Sequence, residues 1–298
     1  MSAFSKNETV LVTGASGNIA SLLLPELKKQ GARVRALVHY AEKARQLAGT
    51  GIEAFVGDFE SPETLDKAMA GVSTVFLLTP ANPKADVWNA NAIAAARKAG
   101  KPYIVRLSVI KAAADSPTDN MRLHARTETE LKAAGLPYAI LRPHYFMQNL
   151  FYSAQSIGTE GAMYMGMGDG KLGMIDVRDI VDVAVRVLGD QSHAGQTFEL
   201  TGPAAISFHD VARAVSVALG REVKYVPVPP EAVADSIRKM GMGEWSATVM
   251  QDYSSAYSRG MGDFTTDHVR KITGHQPHSI EQFAQEVFAP ALARNHAA

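Results

Sequence analysis

The chain has 298 residues, of which 46% are hydrophobic and 20% are charged, a composition typical of a globular protein that buries a substantial core. Thirty Lys and Arg residues balance thirty Asp and Glu residues, so there is no basic excess, and no local basic run, to neutralise a nucleic-acid backbone. The absence of cysteine excludes disulfides, thiolate catalysis and cysteine-ligated metal centres.

The sequence shows no pattern of a secretion signal or a membrane span. Its first ten residues are mostly polar, and its apolar runs are far shorter than the roughly 20 residues needed to cross a bilayer. We therefore expect a soluble, cytoplasmic protein that binds neither membranes nor nucleic acid, and the sequence leaves oligomerisation open.

The first 150 residues alternate short β-branched or apolar runs with longer Ala- and Leu-rich segments, which is the pattern of βαβ units around a parallel sheet. Continuous apolar runs such as residues 10–12 indicate strands buried on both faces. The predicted fold is α/β, a doubly wound parallel sheet. The predicted strands are Thr9 to Thr13, Arg33 to Val38, Glu53 to Gly57, Thr74 to Leu78, Tyr103 to Leu107 and Tyr138 to Leu141.

The second half of the chain has a different texture and is predicted to be mostly helical. A Gly- and Met-rich loop is predicted from Gly158 to Gly173. Ser207, followed three residues later by Asp210, has the pattern of a helix start for residues 208–219. We expect a first domain at residues 1–150 and a smaller, mostly helical lobe at 151–298, some segments of which return to the sheet. Further predicted elements are helices near 179–188 and 231–240 and a strand at 197–200.

A strand that runs into closely spaced glycines and then a helix is the strongest motif of the chain. Residues 9–20 read TVLVTGASGNIA. Gly14 permits a tight turn, Gly17 lets the backbone approach a phosphate, and Ala20 replaces the third glycine of the usual fingerprint. Such a loop presents amide groups and the positive end of a helix to a pyrophosphate. It predicts a Rossmann domain that binds NAD or NADP; the alternative is a glycine-rich turn without a ligand.

Several motifs spread over nearly the whole chain carry a family resemblance. They are TGASGNI at 13–19, GD at 57–58, GLPYAILRP at 135–143, FMQN at 146–149, IDVRDI at 175–180 and ITGHQP at 272–277. With them the chain resembles the atypical short-chain dehydrogenases/reductases, in the branch of NmrA-like proteins, NAD(P)H quinone oxidoreductases and triphenylmethane reductases. The resemblance implies that the cofactor also contacts Asp58, Phe59, Leu78, Thr79 and Pro80.

The end of the second predicted strand indicates which nicotinamide cofactor is bound. It reads LVHY at 37–40, with no acidic residue before Glu42 to hold the ribose hydroxyls of NAD. His39, Lys43 and Arg45 supply positive charge for the 2′-phosphate of NADP. We therefore predict NADP in preference to NAD; the alternative is that Lys43 and Arg45 form a solvated helix face.

The Tyr-x-x-x-Lys pair used by most short-chain dehydrogenases is missing, because none of the nine tyrosines has a lysine four residues later. Alignment with the family places Asn120 at the usual Tyr position and His124 at the usual Lys position. His124 is a candidate for bonding the nicotinamide ribose or relaying a proton; the alternative is an exposed helix histidine. Ser108 matches the family's catalytic serine and is a candidate for polarising a substrate oxygen; the alternative is a serine that ends a strand.

The segment after the sixth predicted strand supplies candidates for substrate binding. Tyr145 and Phe146 are predicted to flank a flat substrate, with Asn149 as a polar anchor; packing between lobes is the alternative. His275 and His278 lack a helical carboxylate partner, so no metal site is predicted. Four methionines predict either an adaptable apolar wall or core and oligomer contacts: Met163, Met165, Met167 and Met174.

The sequence predicts an NAD(P)H-dependent reductase that passes hydride to an electrophilic, aromatic or conjugated small molecule, such as a quinone, azo compound or dye. Such acceptors delocalise the incoming electrons and need little acid catalysis. The alternative is a non-catalytic, NmrA-like NAD(P) sensor. Candidate catalytic residues are His124, Ser108 and Tyr145. Candidate cofactor-binding residues are Gly14, Ser16, Gly17, Asn18, Ile19, His39, Lys43, Asp58, Phe59, Leu78, Thr79, Pro80 and His124.

Overall fold

The structure, a computed structural model, describes Phe4 and residues 8–296. Its strands are β1 (Thr9–Val12), β2 (Arg33–Val38), β3 (Glu53–Val56), β4 (Thr74–Leu77), β5 (Tyr103–Leu107), β6 (Tyr138–Pro143), β7 (Ala162–Met165), β8 (Lys171–Leu172), β9 (Thr197–Leu200), β10 (Ile206–Ser207) and β11 (Lys224–Pro227). Its α-helices are α1 (Asn18–Lys29), α2 (Ala41–Leu47), α3 (Pro62–Met69), α4 (Ala85–Lys98), α5 (Asp119–Ala133), α6 (Ala154–Glu160), α7 (Val177–Gly189), α8 (Phe208–Leu219), α9 (Pro230–Lys239), α10 (Glu244–Ser258), α11 (His268–Thr273), α12 (Ile280–Phe283) and α13 (Ala289–His296). Short 3-10 helices lie at Met147–Ser153 and Gln191–His193, and a π-helical turn at Ala284–Phe288.

The chain forms two compact units that interleave along the sequence. Among the described residues, the first unit holds the chain up to Ser116, Met121–Arg142 and Ile180–Glu199. The second unit holds Pro117–Asn120, Pro143–Asp179 and the chain from Leu200 onward. The division therefore does not fall at one position of the chain. No helix in the described ranges is both long and apolar enough to span a membrane.

The first unit is built on a seven-stranded sheet in the order β3-β2-β1-β4-β5-β6-β9. The pairings from β3 through β6 are parallel, and β1 and β4 are buried throughout because helices cover both faces. The predicted α/β Rossmann fold and all six predicted strands are confirmed, and β9 adds the seventh. Strand order reverses between β1 and β4, and ligands of such sheets bind beyond the carboxyl ends of strands at this switch point.

The second unit contains two small sheets that the sequence pattern did not show. Residues 158–173, predicted as a loop, contain β7, which pairs in parallel with β11, and β8, which pairs antiparallel with β10. The loop prediction was wrong because each strand finds its partner far along the chain, where a local window has no information. The predicted capping box of α8 is confirmed: the Ser207 side chain accepts the Asp210 amide, and the Asp210 side chain accepts the Ser207 amide.

The methionines of this unit mostly fill its core. Met163, Met167 and Met174 are at most 1% exposed and pack with Phe208, which favours core packing over an adaptable wall for these three. Met165 belongs to the same cluster but also borders a cavity.

Candidate functional site

The glycine-rich loop between β1 and α1 is hydrogen-bonded to the residue that follows β4. The Thr13 hydroxyl donates to the Leu78 carbonyl oxygen at 2.9 Å and accepts the Leu78 amide at 2.8 Å. Gly14 has φ +62°, and a Cβ added to it would lie 3.0 Å from the Leu78 side chain. Both the backbone conformation and the close approach therefore require glycine at this position. Thr79, which follows Leu78 beyond the end of β4, is buried.

The first turn of α1 has the features of an anion site. The helix begins at Asn18, with no side-chain cap and no acidic residue in its first turn. A Cβ on Gly17 would meet only the Gly14 carbonyl oxygen, at 3.4 Å, so the space above the loop is open. Uncapped amide groups of a first turn carry partial positive charge. The loop therefore fits the pyrophosphate of a dinucleotide.

A cavity of about 410 Å³ lies beside this loop. Six of the predicted cofactor-binding residues line it: Gly14, Ser16, His39, Asp58, Phe59 and Pro80. The His39 imidazole and the Asp58 carboxylate face each other at 3.6 Å and are both solvent-exposed. The structure thus brings together the predicted residues of β2, β3 and the β1–α1 loop.

Trp88 of α4 also lines this cavity and was missed by sequence reasoning. Its ring stacks on Phe59 with centroids 6.2 Å apart and planes 19° apart, and its indole nitrogen donates to Glu60 Oε1 at 3.2 Å. Lys84 holds the same carboxylate oxygen at 2.9 Å. Aromatic faces of this kind bind flat heterocyclic rings by stacking. A tryptophan on a helix that follows β4 was the available signal, but nothing local indicates that it faces the end of β3.

Lys43 lines a different cavity, of about 470 Å³ between α1, β2 and α2. Its ammonium group donates to Gln46 Oε1 at 3.0 Å, whereas His39 borders the cavity described above. Ser16 lines both cavities. The prediction that His39 and Lys43 jointly hold a 2′-phosphate stays a prediction.

His124 lies against a buried arginine. Arg106, in the middle of β5, is 1% exposed and donates to Asn89 Oδ1 at 2.9 Å, to Thr127 Oγ1, and toward His124 Nδ1 at 3.4 Å. A guanidinium group can only donate, so Nδ1 must accept and the imidazole proton must sit on Nε2. Burial, and then the charges of Arg106 and Arg142, lower the pKa of His124 to about 3. At neutral pH His124 is therefore a neutral hydrogen-bond donor through Nε2, not an acid.

Ser108 lies next to His124 but directs its hydroxyl proton elsewhere. Its oxygen is 3.5 Å from His124 Nδ1 and donates to Glu128 Oε1 at 2.6 Å. Arg142 donates two hydrogen bonds to the same carboxylate, from Nε at 2.8 Å and from Nη2 at 2.6 Å. This pairing raises the pKa of Arg142. Ser108 is thus one member of a network with Glu128 and Arg142. These two residues and Arg106 were missed from the sequence. An arginine inside the otherwise apolar run YIVRL was a usable signal.

Asn120, at the position of the missing catalytic tyrosine, is a structural residue. Its amide donates to the Tyr253 hydroxyl at 3.0 Å. Burial is the main reason that the pKa of Tyr253 rises to about 12. Neither group is an acid suited to alcohol or ketone chemistry near neutral pH.

Tyr145 and Asn149 meet at a cavity of about 260 Å³ within the second unit. The Asn149 side chain hydrogen-bonds the Tyr145 hydroxyl, while burial raises the pKa of Tyr145 well above its ordinary value. Phe146 is not among the residues that line the cavity, and its backbone forms a β-bridge with Ile175. Two of the three predicted substrate residues are therefore brought together.

His278 has a carboxylate partner after all, far away in the sequence. Its Nδ1 lies 2.7 Å from Asp179 Oδ1, and its amide donates to the other carboxylate oxygen at 2.9 Å. In the part of the chain that the structure describes, no group of three or more potential ligands is arranged to hold a metal ion. The pair joins the segment before α12 to the first turn of α7.

Comparison with known proteins places this site among nicotinamide-binding folds. An NAD(P)H azoreductase of Xenophilus azovorans is 36% identical over 279 residues, which cover 93% of this chain and 96% of that protein. The crystal structure of the NADPH-dependent quinone oxidoreductase QOR2 of Escherichia coli with NADPH matches with a TM-score of 0.84 and 25% identity, over 94% of this chain and 99% of that chain. The Citrobacter sp. triphenylmethane reductase complexed with NADP(H) matches with a TM-score of 0.81 and 28% identity, over 93% of this chain and all of that chain (100%). The model of the NmrA-like family matches residues 6–276. The chain belongs to the NmrA-like family, as its motifs predicted.

Proposed function

We propose that this protein is an NADPH-dependent reductase that transfers hydride to an electrophilic aromatic acceptor, such as a quinone, an azo compound or a conjugated dye. The observation that carries the proposal is the uncapped start of α1 behind Gly14 and Gly17, beside the cavity of His39 and Asp58. The names of the relatives, an azoreductase, a quinone oxidoreductase and a dye reductase, support the choice of acceptor.

The first unit supplies the cofactor site in this proposal. Amide groups of Asn18 and Ile19 hold the pyrophosphate, and His39 meets the 2′-phosphate, which distinguishes NADP from NAD. Phe59 and Trp88 offer an aromatic surface to the adenine. NADPH, when bound, supplies the hydride.

His124 contributes a fixed hydrogen-bond donor rather than a proton. Its Nε2–H bonds either the nicotinamide ribose or an acceptor oxygen that gains negative charge. Ser108 donates to Glu128, which pairs with Arg142, and thereby stabilises the position of these two side chains next to His124. Because aromatic acceptors delocalise the added electrons, positioning by these groups suffices without a Tyr/Lys pair, and the anion formed from a quinone or azo acceptor takes its proton from bulk water.

The test is a steady-state assay of the purified protein with NADPH or NADH and a panel containing a quinone, an azo compound and a triphenylmethane dye. We expect loss of nicotinamide absorbance with at least one acceptor, and a lower KM for NADPH than for NADH. Absence of turnover on the whole panel would overturn the proposal.

The alternative is a non-catalytic NAD(P) sensor, and the observation in its favour is that Asn120 replaces the acid and is bonded to Tyr253. A sensor requires different affinities for reduced and oxidised cofactor, read out by binding to a protein partner. Calorimetry with both cofactor forms, beside the turnover assay, distinguishes the two functions. In either case we place the protein in the cytoplasm.

A further inference from the structure

The cavity at Tyr145 lies between two separate hydrophobic clusters of the second unit. On one side, Tyr145 and Met165 pack with the main core of the unit. On the other side, Ile237 of α9 and Met250 of α10 belong to a small cluster around Ala234 and Ala247. The cavity is therefore a gap that neither cluster fills.

The cavity has no formal charge on its walls. Within the described part of the chain, the residues that line it are Tyr, Asn, Ser, Met, Val, Ala and Ile only. Arg238, a charged neighbour on α9, is bonded to Asp235 and Glu244 at 2.7 Å each. An anionic group that entered would lose its water and meet no cation on the wall, which is costly. Hydroxyl and amide groups, in contrast, satisfy an uncharged oxygen or nitrogen.

The rim of the cavity is adaptable. Met240 and Met242 stand at 55% and 42% exposure in the connection between α9 and α10. This connection also contains Gly241 and Gly243, with φ +72° and +83°. Methionine side chains are flexible and adjust to aromatic surfaces of different shape. The rim thus suits flat rings of more than one size.

We propose that this cavity binds the acceptor and selects uncharged aromatic molecules with a hydrogen-bonding heteroatom over anionic molecules that have the same ring skeleton. The identity of the ligand as an electron acceptor rests on the proposed function, whereas its chemical class rests on the cavity alone. Tyr145 and Asn149 bond the heteroatom, and the methionines cover the ring.

The test compares a naphthoquinone with the same naphthoquinone carrying a ring sulfonate, by equilibrium dialysis against the full chain without cofactor. We expect the uncharged quinone to bind at least tenfold more tightly. Met240→Lys adds a cation at the rim, where an exposed side chain leaves folding intact, and is expected to reduce the discrimination at least threefold. Val217→Lys, at a residue 69% exposed on α8 and not on the cavity wall, is the matched control and is expected to change nothing.

Two results would overturn this inference: equal affinity for the two quinones, or the same discrimination in the Met240→Lys and Val217→Lys variants. Turnover with NADPH is measured on the same preparations. Discrimination in binding without turnover of any acceptor would support the cavity and overturn the reductase. Turnover without discrimination would support the reductase and overturn the selectivity of the cavity.

Discussion

At the scale of the residue, the most informative side chain is Arg106, because it determines what His124 can do. A buried guanidinium group 3.4 Å from an imidazole nitrogen tolerates only the neutral ring. The sequence pointed to His124 and Ser108 but not to this network. A propensity argument treats an arginine within a strand as an exception, and only the fold shows that Asn89 and Thr127 accept hydrogen bonds from its two terminal nitrogens.

The lowered pKa of His124 predicts how stability depends on pH. The unfolded chain takes up a proton on His124 below about pH 6.5, while the folded protein does not until about pH 3. The contribution of His124 to the free energy of unfolding is thus fully present above the unfolded pKa. Below that pKa it falls by up to about 1.4 kcal/mol per pH unit. His124→Asn, which keeps an acceptor for Arg106, should flatten this slope in urea unfolding between these pH values. His209→Asn, at an exposed histidine, serves as the control and should retain it; equal slopes in both variants would contradict the assignment.

The fold requires glycine at position 14, whereas at position 17 there is room for a methyl group. Gly17→Ala adds a methyl group with no neighbour closer than 3.4 Å, so the fold should persist while the phosphate approach is blocked and NADPH affinity falls at least tenfold in calorimetry. Gly71→Ala is the matched control: φ is +70° in open space, so it should cost about 1 to 2 kcal/mol of stability without affecting cofactor binding. Unchanged affinity of the Gly17 variant would remove this loop from the cofactor site.

At the scale of the element, the β1–α1 unit was fully predictable, because strand, glycines and helix follow one another within 20 residues. The two small sheets of the second unit were not, since β7 pairs with β11 and β8 with β10 across large separations. The same limit hid Trp88, whose helix faces a strand end that lies 30 residues earlier in sequence order, at Asp58. Site residues carried by a local motif or by the family resemblance were found, whereas Trp88, which only the topology brings to the cavity, was not.

Two residues, one directly after β2 and one in the first turn of α2, predict how NADPH and NADH are distinguished. His39 and Lys43 line separate cavities, so substituting one of them alone tests one cavity at a time. If the 2′-phosphate binds in the cavity of His39, His39→Gln should weaken NADPH several-fold more than NADH, while Lys43→Gln should affect both little. The dissociation constants of both cofactors for both variants measure this; loss confined to Lys43→Gln would move the phosphate to the other cavity.

Helix α4 gives a direct optical signal of cofactor binding. Trp88 and Trp245 are the two tryptophans of the chain, and Trp88 lines the cavity beside the loop. Titration of Trp245→Phe with NADP should quench the remaining indole fluorescence, since adenine would stack near it. Trp88→Phe should lose that quenching; quenching that persists in this variant would place the adenine elsewhere.

At the scale of the whole molecule, two interleaved units are expected to respond to different ligands. A ligand that binds only the folded state stabilises it by about 2.7 kcal/mol at a hundredfold excess over its Kd. Hydrogen exchange should therefore show NADPH protecting peptides of the first unit around residues 14–19 and 57–60. The uncharged naphthoquinone should protect residues 228–250 of the second unit. Protection of the same peptides by both ligands would contradict a division of roles between the units.

The small cluster that joins α9 to α10 has a consequence for where substitutions accumulate as ligand preference evolves. Ala234, Ile237 and Ala247 hold the two helices to each other, so the cavity wall they present is stabilised apart from the main core. Substitutions on that wall are expected to be tolerated without loss of the fold. Changes in the Gly14 loop, in contrast, are expected to disturb cofactor binding, which the reduction of every acceptor requires. Diversification of ligand preference should therefore accumulate in the stretch 230–258, and random mutagenesis confined to that stretch is expected to change acceptor preference while the protein still folds.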